Sequence, residues 1–193
     1  MTDDGIGRLL VASLHQSIGD ELPQRLEYYE HWLSPMGLRE GRSGLAPLNA
    51  VLSFLRQEGP EAYARVMRAA GGYSAEWHEA ETRGGAWTRL VPRAMRRRLA
   101  LRRARAVLVA AYAPHRVTVT VRRGTATLTV EPSVFCAVRE RWPWPTCAYV
   151  AGVVERVLAL RGLPAAVSIT DCRAQGAPRC ACAIEFDAAG DTP

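Results

Sequence analysis

Lysine is absent. All 25 basic residues are arginine, and against 19 acidic residues they leave a net charge of +6. A GC-rich coding sequence accounts for this and for the abundance of Ala and Val, so the absence marks no special surface. Long apolar runs are missing too. The N-terminus, Met1-Thr2-Asp3-Asp4, is acidic, and the first apolar stretch, Leu9 to Leu14, is too short to cross a bilayer. These absences predict a cytoplasmic protein without a transmembrane segment, and a reducing compartment in which the five cysteines are thiols or metal ligands rather than disulfides. No Ser-His-Asp set, glycine-rich phosphate loop or dinucleotide fingerprint occurs. The four histidines, 15, 31, 78 and 115, form no pair at metal-ligand spacing. Nothing in the side chains points to catalysis.

What is present is ordinary for a globular chain, with 48% hydrophobic and 23% charged residues, which fits one domain over 1–193. Residues 1–113 read as helices. Asp20-Glu21-Leu22-Pro23 offers a cap and an early-turn proline for a helix carrying Leu26, Tyr29 and Leu33, stopped at Pro35 and Gly37. A glycine-rich loop with Arg39, Glu40 and Arg42 follows. Leu45, Leu48, Leu52 and Leu55 mark an amphipathic helix, and Gly59-Pro60 breaks it. The next helix carries Tyr63, Val66, Met67, Ala70, Tyr73 and Trp77, with a kink expected at Gly71-Gly72 and an end at Gly84-Gly85. A third runs from about Pro92 to Ala111 and holds seven arginines between Arg93 and Arg105. It should dock by Met95 with Leu99 and Leu101 with Leu108, leave Arg93, Arg97 and Arg103 in solvent, and bind no specific nucleic acid.

The period changes at 114–187. Val117, Val119 and Val121, then Ala126, Leu128 and Val130, alternate with Thr and Arg around Arg123-Gly124, which predicts a hairpin. A short helix is expected over Phe135–Arg141, a second from Thr146 to about Leu158, and strands over Ala165–Thr170 and Arg179–Phe186. The tail, 188–193, is polar. The fold class is α+β: a helical N-terminal half packed on one face of a small antiparallel sheet, with a ββααββ C-terminal half.

All five cysteines lie at 136, 147, 172, 180 and 182. Cys172 and Cys180 bracket a hairpin connection, while Cys180 and Cys182 share a strand face. With no C-x-x-C pair, the spacing alone favours buried small hydrophobes over metal ligands. The run from Val117 to Phe186 resembles the 4-vinyl reductase domain in Pro145-Thr146-Cys147, in Gly152, and in Cys172, Ala174, Gly176 and Cys180 ahead of a closing strand. The family includes bacteriochlorophyll 4-vinyl reductases and the phenol-sensor domains of bacterial activators. Its fold is similar to that of TRAPP vesicle-tethering subunits, which are dimeric and hold an acyl chain.

The resemblance implies a binding domain for an apolar small molecule: aromatic, acyl or tetrapyrrole-like. The pocket would be lined by Leu48, Leu52, Tyr63, Met67, Trp77, Phe135, Trp142 and Trp144. It also implies a zinc site of three Cys and one Glu. The thiols fall on Cys147, Cys172 and Cys180, but the Glu falls on Ile169. Cys182, Asp171 and Cys136 are the substitutes at hand, and Cys182 is preferred because it faces the same way as Cys180. A homodimer through the helical layer and a separate effector protein complete the expectation. The alternatives are an enzyme or accessory factor of chlorophyll 4-vinyl reduction, and a basic scaffold on acidic membrane or nucleic acid.

Overall fold

The computed structural model describes residues 6–30, 42–43, 45–82, 91–114, 116–122, 124–138 and 140–186. His31, Pro35, Gly37, Arg39, Glu40, Gly84, Gly85, His115 and the tail lie outside the described residues. The architecture is α+β. Alternating β-branched residues build strands β3 (Arg116–Arg122) and β4 (Thr125–Glu131), joined by a tight turn in which Gly124 has φ +74°. Strands β5 (Ala165–Asp171) and β6 (Cys180–Phe186) complete an antiparallel sheet of order β3-β4-β6-β5. The strand latest in sequence is therefore an inner one. Val117, Leu128, Val130, Val167 and Ile184 are buried, while Thr118, Thr120, Thr125 and Thr127 face solvent. A two-residue pair, β1 (Ile6–Gly7) with β2 (Arg42–Ser43), lies apart from this sheet.

The helices are α1 (Arg8–Glu21), α2 (Leu26–Glu30), α3 (Leu45–Gln57), α4 (Pro60–Glu81), α5 (Arg93–Tyr112) and α6 (Ala148–Leu160). Helix α6 packs on β5, α4 on α6, and α1 on α4, while α5 covers α6 and β3. Asp20-Glu21 ends α1 rather than capping the next helix, and Pro23 opens a 3-10 turn. Two serines hide α1 in the sequence. Ser13 and Ser17 sit in the buried stripe with Leu10, Leu14 and Ile18, each returning its hydroxyl proton to a carbonyl of its own helix. Val134–Cys136 forms only a 3-10 turn where a longer helix was expected, so one α-helix, not two, lies between the hairpins.

Helix α5 buries Leu101 and Leu108 as expected, but departs from the expectation nearer its start. Arg97 is buried with its guanidinium 4.6 Å from the Phe186 ring centre, whereas Met95 and Leu99 are exposed. The sequence offers two apolar stripes. The one with Ala100, Ala104 and Ala111 wins because small side chains let the helix approach closely.

Gly71 and Gly72 do not interrupt α4, which runs unbroken through both. Gly71 instead marks contact with α6: a Cβ there would stand 2.3 Å from the Tyr149 carbonyl oxygen. Across the same seam, a Cβ on Gly152 would stand 2.2 Å from the Arg68 carbonyl oxygen. Ion pairs Arg68–Glu155 and Glu76–Arg156 flank the contact. Gly152→Ala should therefore destabilise the fold by about 1–3 kcal/mol, as overpacking does. Gly72→Ala, with nothing within 4 Å of the new methyl, should stabilise by about 0.5–1 kcal/mol. Urea denaturation midpoints of the two variants should move in opposite directions.

Candidate metal centre and adjoining groove

Four segments end at one place. Cys136 closes the 3-10 turn after β4, Cys147 is the N-cap of α6, Cys172 follows β5, and Cys180 opens β6. Their four sulfurs lie within 4.8 Å of one another, and all four residues are buried. Cys136 Sγ is 3.0 Å from Cys147 Sγ, 3.5 Å from Cys172 Sγ and 3.4 Å from Cys180 Sγ, while Cys147 and Cys172 are 3.3 Å apart. These are contacts between free thiols, longer than the roughly 2.05 Å of a disulfide. The Thr146 backbone N–H donates to Cys172 Sγ at 3.3 Å, and Thr146 Oγ1 lies 3.2 Å from Cys136 Sγ.

Contact splits the four acidities. Hydrogen bonding from Cys147 holds Cys136 below the usual thiol value, and hydrogen bonding from Cys136 does the same for Cys172. The same contacts push Cys147 and Cys180 upward, because four touching sulfurs cannot all ionise without a cation.

Cys147, Cys172 and Cys180 are brought together, but the fourth place belongs to Cys136. Cys182 does share the inward face of β6 with Cys180, yet two residues along a strand advance about 6.6 Å, more than the cluster spans. It packs in the main core, opposite Leu128, and burial pushes its thiol up to about 12. Ile169, where the resemblance places a carboxylate, packs against the sulfurs, and Asp171 is exposed. Cys136 was harder to read because its place depends on strand pairing. Val130 lies opposite Cys180, so the chain leaving β4 passes the start of β6.

The helices grip this junction by polar contacts. Tyr63 donates its hydroxyl to the Thr146 carbonyl at 3.0 Å, and burial raises its pKa far above the usual phenol value. Arg56 Nη2 donates to the Phe135 carbonyl at 3.0 Å, with its guanidinium 5.9 Å from the Trp142 ring centre. Arg56 is only 6% exposed, its Nε has no partner, and no carboxylate among the described residues meets it. The Trp142 backbone N–H bonds to the Ala174 carbonyl at 2.7 Å, and its ring packs on the cysteines. Trp144 meets Trp142 edge to face at 5.3 Å.

Of the residues expected to line a pocket, Leu48, Leu52, Tyr63, Met67 and Phe135 are fully buried in one hydrophobic core. Trp77 is half-buried and stacks on Tyr73. Trp142 lines an open groove of about 620 Å³ between α3 and the segment after the 3-10 turn. Its other walls are Asn49, Ala50, Ser53 and Arg56 from α3, and Ala137, Val138 and Glu140. The groove thus uses the face of α3 opposite the leucines.

No protein-family model matches the sequence, and no curated protein matches it. Solved structures do share the fold. An H-NOX protein from S. oneidensis in the Fe(II) ligation state superposes with a TM-score of 0.62 at 12% identity, covering 94% of this chain and 96% of that one. Subunit 3 of the trafficking protein particle complex from Naegleria fowleri, covalently bound to palmitic acid, gives 0.52 at 11% identity over 92% and 96%. The phenol-responsive sensory domain of the transcription activator PoxR gives 0.48 at 18% identity over 75% of each chain, too low a score to argue from. At such identities the likeness shows the fold alone.

The Tyr63 contact is the testable part of this grip. Tyr63→Phe leaves a buried carbonyl without its donor, which should lower stability by about 1–3 kcal/mol. A chemical denaturation midpoint unchanged from the parent would show that the hydroxyl does not hold the start of α6.

Proposed function

We propose that the chain is a small-molecule-binding sensor or carrier domain in which one zinc ion, held by Cys136, Cys147, Cys172 and Cys180, fixes one wall of the ligand groove. The convergence of the four buried sulfurs carries this reading. Zn–S bonds of roughly 2.3 Å in a tetrahedron set sulfurs about 3.8 Å apart, close to the spacing present. Sulfurs already in contact leave no room for a multi-iron cluster between them. With every ligand supplied by protein, the site is closed, and the ion serves the fold rather than a reaction. When bound, zinc draws the thiols into their ionised form.

A dication on four thiolates leaves a buried negative charge. Arg56 is the matching group: buried, without a carboxylate partner among the described residues, and bonded to the carbonyl that precedes Cys136. The N-terminus of α6, where Cys147 sits, adds the positive end of a helix.

The groove suits a small aromatic or short acyl molecule with an acceptor atom for Arg56. Its volume is in the range of small-molecule sites. The palmitic acid named for the trafficking subunit and the iron ligation named for the H-NOX protein support a ligand-bearing use of this fold. For its assembly state, the reading is a homodimer, for which the half-buried, stacked Tyr73 and Trp77 on α4 offer an apolar contact.

Native mass spectrometry of the freshly purified protein should show one zinc per chain, a retained ligand, and two chains per particle. Cys136→Ser should lose the zinc and Cys182→Ser should keep it. Chelation should lower the melting temperature by on the order of 10 °C, since site formation is coupled to folding. Ala50→Trp, which fills the groove, should keep the zinc and lose the ligand. Equal zinc in the two cysteine variants would sink the metal assignment, and ligand retained by Ala50→Trp would sink the groove.

A further inference from the structure

Two groups of arginines contrast. Arg25, Arg65, Arg68, Arg156 and Arg161 each pair with a glutamate. Arg98, Arg102 and Arg105 on α5 are exposed and form no ion pair among the described residues. The helix itself, RAMRRRLALRRARAVLVAAY, contains no acidic residue.

Apolar side chains interleave with these charges. Met95 is 55% exposed, Leu99 36% and Val109 45%, against complete burial of Leu101 and Leu108 on the other side. At about 100° per residue, all six outward residues fall on one face roughly 120° wide. The face borders β3, an edge strand, across two shallow grooves. One, of about 310 Å³, is lined by Arg98, Arg102, Val119 and Val121. The other, of about 580 Å³, reaches Arg122 and the Phe186 ring. Guanidiniums therefore rim a partly apolar floor.

We infer that this face of α5, with the grooves beside it, docks on the surface of an anionic lipid bilayer. Phosphate headgroups complement the unpaired guanidiniums, which bind them in a planar, forked manner. Met95, Leu99 and Val109 reach past the headgroups to the acyl boundary, as the apolar residues of interfacial helices do. The arginine stems lie between them without desolvating their charges. A nucleic acid would use the charges but leave the exposed methionine and leucine without purpose. Its strands are held by phosphate contacts and by stacking on aromatic rings, and the one ring that these grooves reach, Phe186, is buried beneath the Arg97 guanidinium.

The experiment is co-sedimentation of the full chain with vesicles of phosphatidylcholine alone, and of equal parts phosphatidylcholine and phosphatidylserine. Binding is expected to the anionic vesicles only, weakening as salt is raised. Each arginine contributes roughly a fivefold effect near such a surface. The triple variant Arg98→Gln, Arg102→Gln, Arg105→Gln should therefore lose more than a hundredfold in affinity. Met95→Ser with Leu99→Ser should lose binding by about tenfold or more, which simple charge attraction would not produce. All five positions are exposed, so melting temperatures should match the parent, and the salt dependence of the unmodified protein is an independent reading. Failure to bind anionic vesicles overturns the proposal. So does full binding by the Met95→Ser, Leu99→Ser variant, or tighter binding to a DNA or RNA duplex than to the vesicles.

Discussion

Four sulfur atoms in mutual contact attract one another weakly. Thiol hydrogen bonds are poor, and each proton given up raises the cost of the next. Their meeting at the ends of four segments fixes where β4 hands over to the 3-10 turn, where α6 starts, how the turn after β5 folds back, and where β6 begins. The helical layer adds two directional contacts, Tyr63 to Thr146 and Arg56 to Phe135, each on a carbonyl one residue before a cysteine. The loop carrying Trp142 is thus held from both sides. One wall of the groove inherits its position from the sulfurs, and the opposite wall is a helix anchored in the core.

The hairpin, α3, α4 and α6 were legible because each keeps one period and is punctuated by glycine or proline, whereas α5 was bounded by its flanking prolines but its two apolar stripes left the buried face ambiguous. Helix α1 was not legible, since Ser13 and Ser17 occupy two of the six positions on its inward stripe. At the site, resemblance to the 4-vinyl reductase domain pointed to Cys147, Cys172 and Cys180. Choosing between Cys136 and Cys182 required the pairing of β4 with β6, which sequence does not contain. Side-chain direction favoured Cys182, and rise per residue ruled it out. The expected lining and the open groove share one residue, Trp142, for a related reason. Periodicity finds the face of α3 that enters the core, whereas the groove is lined by the polar face, Asn49, Ser53 and Arg56, which looks in sequence like any solvated surface.

Helices α4 and α6 meet backbone to backbone at Gly71 and Gly152, with ion pairs on either side. Contact at that range admits no sliding, so the pair behaves as one rigid unit. Tyr63 belongs to α4 and Cys147 begins α6. The cysteine junction is therefore referenced to this closely packed helix pair, while the open groove lies beside it, between α3 and the loop.

The placement of β6 has a consequence for the order of assembly. As the chain is synthesised, β5 emerges with no strand to pair with, because its only neighbour in the sheet is β6. Cys136 waits across 44 positions for Cys180. When β6 emerges it inserts between β4 and β5, and its first residue brings the last sulfur. Two of the sheet's three strand pairings and the fourth thiol arrive together on one seven-residue segment. Until that moment the nascent chain presents reactive thiols and an unpaired strand edge at the same time, the state in which it is most exposed to oxidation and to pairing with the wrong neighbour.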